Sequence, residues 1–190
     1  NKSYLEAVKS LIGPDIAYIQ DSSMQIGTGY TGYHKDNVSR TDANHSDWKS
    51  NYDVICGGLY FQNTKDYSGG INVRAGSHKH ANLFSGKPII APLEVGDIIF
   101  WKLTTTHSGN AKRLKLLPNI PLLGRVQRFL PKWVFIAEQK DRMALFATFG
   151  KPGTHLNVYE NYRTNSFTRK NSNYTNKCRE LAKLNNVILK

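Results

Sequence analysis

The spacing of apolar positions changes near residue 13. Leu5, Val8, Leu11 and Ile12 recur at three- and four-residue intervals, which places them on one stripe of an α-helix. Residues 3–12 are therefore predicted helical, with Gly13-Pro14 as the stop. Beyond that point the apolar residues gather into short runs rich in β-branched and aromatic side chains, at 16–20, 54–61, 71–73, 98–101 and 142–149. Turn clusters separate them, among them Ser68-Gly69-Gly70 and Val95-Gly96-Asp97. Many short strands with frequent turns predict a mainly β sandwich or jelly roll with a few flanking helices.

Two stretches depart from that rhythm. Residues 112–141 are rich in Leu, Pro and Arg and read as an insertion, part helix and part loop, suited to a lid or a partner surface. The basic tail over 151–190 is polar, with Asn and Arg prominent, and closes on an amphipathic helix predicted near 174–184, with Leu181 on its apolar side. No internal repeat and no low-complexity segment is present.

Length and composition then bound the class. At 190 residues and 39% hydrophobic content the chain suits one compact domain, residues 1–190, with its core over about 14–150. No run of about 18 apolar residues occurs, so no membrane partner is expected. Two cysteines, Cys56 and Cys178, are too few for a disulfide scaffold and point to a reducing, cytoplasmic setting. The first residues lack a signal peptide's apolar stretch, and without an initial methionine the chain is expected to be a fragment or a processed form. The net charge of +12 raises nucleic acid as a partner. No series of aromatics interleaved with cations on a strand pair accompanies it, so a solvated basic face is the plainer reading.

The candidate chemistry begins at His34-Lys35-Asp36. Residues i and i+2 of a strand face the same way, so this segment offers an imidazole and a carboxylate to one point. A further histidine from a distant strand would complete a facial set of two histidines and one carboxylate, with three adjacent coordination positions left open. His107, after the strand at 98–101, is the natural candidate. His78-Lys79-His80 has the same two-residue spacing and competes, although its place after Gly76 reads as a surface turn. His45 and His155 read as loop residues.

Several segments in order resemble the phytanoyl-CoA dioxygenase family: Tyr33-His34-Lys35-Asp36, Gly57-Gly58-Leu59-Tyr60-Phe61-Gln62, the glycine-rich turn running from Ser68 to His78, and the stretch from Val95 through His107-Ser108-Gly109-Asn110. The match covers roughly residues 10–150 and departs at Ala75, where the family has proline, and at Lys35, where it often has glutamine. The family also has a longer region before its metal segment. The resemblance implies a double-stranded β-helix of the cupin-like kind, with iron(II) held by His34, Asp36 and His107. It also implies 2-oxoglutarate and dioxygen as co-substrates and hydroxylation of a small organic molecule, with release of succinate and CO2. Related halogenases replace the carboxylate with a small residue; Asp36 is retained here. An arginine after the second histidine is implied as the clasp for the far carboxylate of 2-oxoglutarate, a task suited to a guanidinium fork. Arg142, which opens a clean strand, is preferred over Arg113, which lies in a basic run with Lys112 and Lys115. Tyr18, Gln20 and Ser108 are further candidates for contact with the co-substrate, and Trp101 is expected in the core. A non-catalytic jelly-roll module and a nucleic-acid-binding or -modifying protein stand as alternatives. Substrate identity and oligomeric state are not legible in the sequence.

Overall fold

The computed structural model describes residues 2–27, 31–122, 124–139, 142–166 and 174–190. Helix α1 spans Lys2–Ile12 and buries Val8 and Ile12. It ends at Gly13, whose φ of 100° is open to glycine and costly for other residues, and whose N–H closes the last turn on Lys9 O at 2.9 Å. The strands are β1 (Ile16–Ile26), β2 (Val54–Tyr60), β3 (Gly70–Ala75), β4 (Lys87–Ile90), β5 (Ile98–Lys102), β6 (His107–Ala111), β7 (Met143–Gly150) and β8 (Val187–Leu189). Three further helices are α2 (Gly124–Gln127), α3 (Thr154–Ser166) and α4 (Asn176–Leu184).

Two sheets result, with strand orders β5-β2-β7-β1-β8 and β4-β3-β6. His34 extends the smaller sheet. Its N–H donates to His107 O and its carbonyl accepts from His107 N–H, both at 2.9 Å. Inward positions of both sheets form the main core, among them Ile19, Cys56, Tyr60, Ile71 and Trp101. The opposite face of the larger sheet is covered by α1, where Val8, Ile12, Ile16, Ile55 and Phe149 form a second cluster. Gly57 is required there, because a Cβ at this position would lie 2.2 Å from the Tyr4 hydroxyl.

The predicted strands all form, with β1 running six residues further than its apolar run. Helix α3 was not anticipated. Among the residues whose burial is described it buries only Leu156 and Tyr159, too sparse an apolar stripe to register against its polar residues. Leu156 seats on Gly150, where a Cβ would come within 2.5 Å of Leu156 Cδ1. Helix α4 matches the predicted tail helix and is capped by Thr175, whose hydroxyl accepts from Cys178 N–H at 3.2 Å. Its buried residue is Ala182, while Leu181 is half exposed. No helix among the described residues is long and apolar enough to cross a membrane.

Candidate metal centre

Two short backbone segments bring three ligand-type side chains together. The reciprocal His34–His107 backbone bridge sets the two imidazoles side by side, with ring centroids 4.4 Å apart. Asp36, two residues beyond His34, is held by its N–H donating to Leu103 O at 2.9 Å. Its carboxylate oxygens lie 3.6 Å from His34 Nε2 and 3.3 Å from His107 Nε2. All three ligand atoms fall within 4.8 Å of one another, and this is the one such group of three among the described residues.

The orientation of the rings is fixed from behind. His34 Nδ1 meets Gly32 O at 2.7 Å and His107 Nδ1 meets Thr105 O at 3.0 Å. A carbonyl only accepts, so each Nδ1 carries the hydrogen and each Nε2 lone pair points at Asp36. This is the tautomer a metal needs, and backbone carbonyls behind ligating imidazoles recur in metal sites. His107 is 6% exposed, and burial holds its imidazole below the ordinary range, reinforced by His34 and opposed by the Asp36 carboxylate. A neutral imidazole and an ionised carboxylate fit a hard-to-borderline divalent cation.

Between the two ligand residues, Lys35 turns the other way, as alternation along an extended segment requires. It is completely buried, and its Nζ donates to Ser77 O at 2.8 Å and to Thr104 O, with the Trp48 ring 5.1 Å away. Burial lowers its pKa to about 8. This cation ties the His34 segment to the turn that leads into His107.

The triad opens into a cavity of about 290 Å³ between the sheets. Arg142, 7% exposed, stands on its wall, with Nε donating to Gly69 O at 2.7 Å and the guanidinium 5.8 Å from the Tyr60 ring centre. Burial pushes the Tyr60 hydroxyl up to about 12, against the opposing influence of Arg142. Phe146 and Thr148 line the same cavity, as the predicted alternation from Arg142 along β7 requires. Gly109, two residues past His107, also lines it. A Cβ there would approach Thr31 Oγ1 to 3.1 Å and Arg142 Nη2 to 3.9 Å.

Other expected residues lie elsewhere. Arg113 was read as part of an exposed basic run, but it is 7% exposed and fastens backbone: its Nε donates to Pro118 O at 3.0 Å and its Nη1 to Thr64 O at 2.8 Å. It does not line the cavity. On β1, Asp21, Ser23 and Gln25 line the cavity, so Tyr18 and Gln20 have the opposite parity. Tyr18 stacks on Phe149 in the second cluster. Ser108 is fully buried on the face of β6 away from His107 and Gly109 and does not line the cavity. His78 and His80 fall in and just after a tight turn at Ser77–Lys79, away from the triad. Trp101 is buried as expected, with its ring 5.1 Å from that of His107.

Sequence reasoning missed a polar set that joins β1 to α3. Asp21 accepts from the Tyr159 hydroxyl at 2.6 Å and from Arg163, and Arg40 lies beside the same cavity. Both Tyr159 and Arg163 belong to α3, so missing that helix hid this wall.

No protein-family model matches the chain, and no curated protein does. Solved structures do. ThoJ, a non-heme monooxygenase in complex with nickel, aligns at 17% identity over 79% of this chain and 50% of its own, with a TM-score of 0.52. The 2-oxoglutarate-dependent epimerase SnoN from nogalamycin biosynthesis gives 12% identity, 80% and 53% coverage, and a TM-score of 0.51. HygX from Streptomyces hygroscopicus, with nickel and 2-oxoglutarate bound, gives 11% identity, 80% and 64% coverage, and a TM-score of 0.52. At these identities the likeness is one of fold. The chain spans half to two thirds of the lengths of these three proteins.

Proposed function

We propose that this chain is an iron(II)- and 2-oxoglutarate-dependent oxygenase of the phytanoyl-CoA dioxygenase type that hydroxylates a small organic molecule. The observation that carries the reading is the convergence of His34, Asp36 and His107 with both imidazole Nδ1 atoms on backbone carbonyls. Strand order supports the double-stranded β-helix. With the His34 segment counted as a strand and the short β8 at the edge left aside, the sheets β5-β2-β7-β1 and β4-β3-β6-His34 hold four strands each, and every step along the chain crosses between the sheets except the β3–β4 hairpin.

Bound iron(II) would supply the redox chemistry in which 2-oxoglutarate and O2 become succinate and CO2 while a substrate C–H becomes C–OH. The protein's residues do the rest. His34, Asp36 and His107 present one face of ligands and leave the cavity side open. Arg142 would clasp the far carboxylate of 2-oxoglutarate, with Tyr60 beside it: it lines the cavity while its Nε holds Gly69 O, whereas Arg113 does not line the cavity. Gly109 leaves room for the co-substrate between Thr31 and Arg142. Trp101, Ile71 and Phe146 keep the cavity floor apolar and limit water.

The test is succinate release from purified protein with Fe(II), 2-oxoglutarate and a panel of small molecules. Substrate-coupled succinate that vanishes in His34→Ala and Asp36→Ala is expected. Undiminished turnover in both variants sinks the reading, and failure to bind Fe(II), Mn(II) or Ni(II) stoichiometrically would favour a non-catalytic scaffold.

A further inference from the structure

The segment between β6 and β7 leaves several large apolar side chains in water. Its neck is a short antiparallel pairing in which Lys115 N–H donates to Val134 O at 3.0 Å and Ile136 N–H to Arg113 O at 2.8 Å. Two polar side chains, Arg113 and Gln127, turn inward as fasteners. Arg113 grips the carbonyls of Thr64 and Pro118, and the buried Gln127 takes Lys112 N–H at 3.4 Å and donates to Leu122 O at 3.2 Å. Phe135 is buried, but many of the other apolar side chains turn outward. Leu116 is 93% exposed, Phe129 87% and Trp133 75%, and Leu117, Ile120 and Val126 are exposed with them.

The charges on this segment have one sign. No Asp or Glu occurs between Asp97 and Glu138, and Lys115, Arg125, Arg128 and Lys132 are exposed among the apolar residues. Glu138, at the edge, faces Lys112 at 3.7 Å. Leaving so many large apolar side chains in water is costly, and solvation alone does not account for a patch of this kind.

We propose that this projecting segment docks on the surface of an anionic phospholipid bilayer, with Phe129, Trp133 and Leu116 entering the headgroup region and the four exposed cations meeting lipid phosphates. Aromatic and aliphatic side chains ringed by Lys and Arg are the composition of an interfacial anchor. The run of cations is unbroken by any acidic residue between Asp97 and Glu138, which favours an anionic surface over a protein of mixed charge. The expectation of no membrane partner rested on the lack of a spanning run and of a signal peptide, and a segment lying on a bilayer needs neither. Docking also differs from diffuse attraction by the +12 net charge, because it is localised and has an apolar component.

The experiment is co-sedimentation of the full chain with vesicles of phosphatidylcholine alone or of an equal mixture of phosphatidylcholine and phosphatidylglycerol, at low and physiological salt. Binding to the mixed vesicles alone is expected, with a blue shift of tryptophan emission that is lost in Trp133→Phe. Phe129→Ser with Leu116→Ser, and separately Arg125→Glu with Arg128→Glu, should each weaken binding about tenfold or more. Lys177→Glu with Lys183→Glu, at exposed positions of α4, should cost no more than about twofold. Absence of binding at low salt overturns the proposal. So does equal binding to phosphatidylcholine alone, or loss that is the same in the α4 pair while the apolar pair binds normally. Concentration-dependent dimers that dissolve on Phe129→Ser would assign the patch to a second copy of the chain and overturn it as well.

Discussion

The triad and the projecting segment both use buried polar side chains to hold backbone, yet they present opposite surfaces. At the triad, Lys35 and the carbonyls of Gly32 and Thr105 work from behind, and the groups left facing the cavity are two imidazole nitrogens and a carboxylate. In the segment, Arg113 and Gln127 work from behind, and the groups left facing out are large apolar side chains with cations among them. A buried cation therefore does not mark a functional site by its type or burial. Arg142 and Arg113 are each 7% exposed, and what separates them is where the guanidinium points. Both donate to backbone carbonyls, but Arg142 also lines the cavity, whereas Arg113 does not.

The comparison can be broken in several places. Asp36→Ala removes the only anionic ligand of the triad, and we expect metal-dependent succinate formation to fall below detection while the far-ultraviolet dichroism is unchanged. Arg113→Leu leaves the buried carbonyls of Thr64 and Pro118 unpaired and should cost about 3 kcal/mol in denaturant unfolding. Its counterpart Arg142→Leu should lower the affinity for 2-oxoglutarate by about 100-fold, at the strength of a charge-assisted hydrogen-bonded pair, while metal binding persists. An exchange of these two outcomes would reverse the assignment of the arginines. Gly109→Val should fill the space beside Arg142 and exclude 2-oxoglutarate while metal still binds, which calorimetry separates.

The smallest expected effect concerns pH. Burial lowers the Lys35 pKa from 10.5 to about 8, so between those values the unfolded chain holds a proton that the folded chain has released. Stability contributed by this group therefore rises across that window and is lost as pH falls through about 8. The stability difference between the native chain and Lys35→Met should change in favour of the native chain from pH 8 to 10.5. A pH-independent difference would mean that Lys35 keeps its proton throughout.

How much of this was legible depended on local spacing. The His34–Asp36 pair is visible because strand alternation is a two-residue rule. Arg142 is visible for the same reason, since β7 continues in phase through Phe146 and Thr148. Tyr18 and Gln20 misled because the start of β1 is covered on both sides, by the sheet core and by α1, so Ile16, Ala17 and Ile19 carry no alternation from which parity could be read. Arg113 looked exposed because its neighbours are basic, and its partners Thr64 and Lys65 lie about 50 residues away in sequence. Asp21, Tyr159 and Arg163 meet across more than 130 residues, a contact that no local pattern announces.

The metal-centred reading is tested most directly by anaerobic calorimetric titration of the chain with Ni(II) and then with 2-oxoglutarate. One equivalent of metal, followed by one equivalent of 2-oxoglutarate that binds only when metal is present, is the expected result, with the first step lost in His107→Ala. Binding of 2-oxoglutarate without metal, or metal binding that survives His107→Ala at full strength, contradicts it.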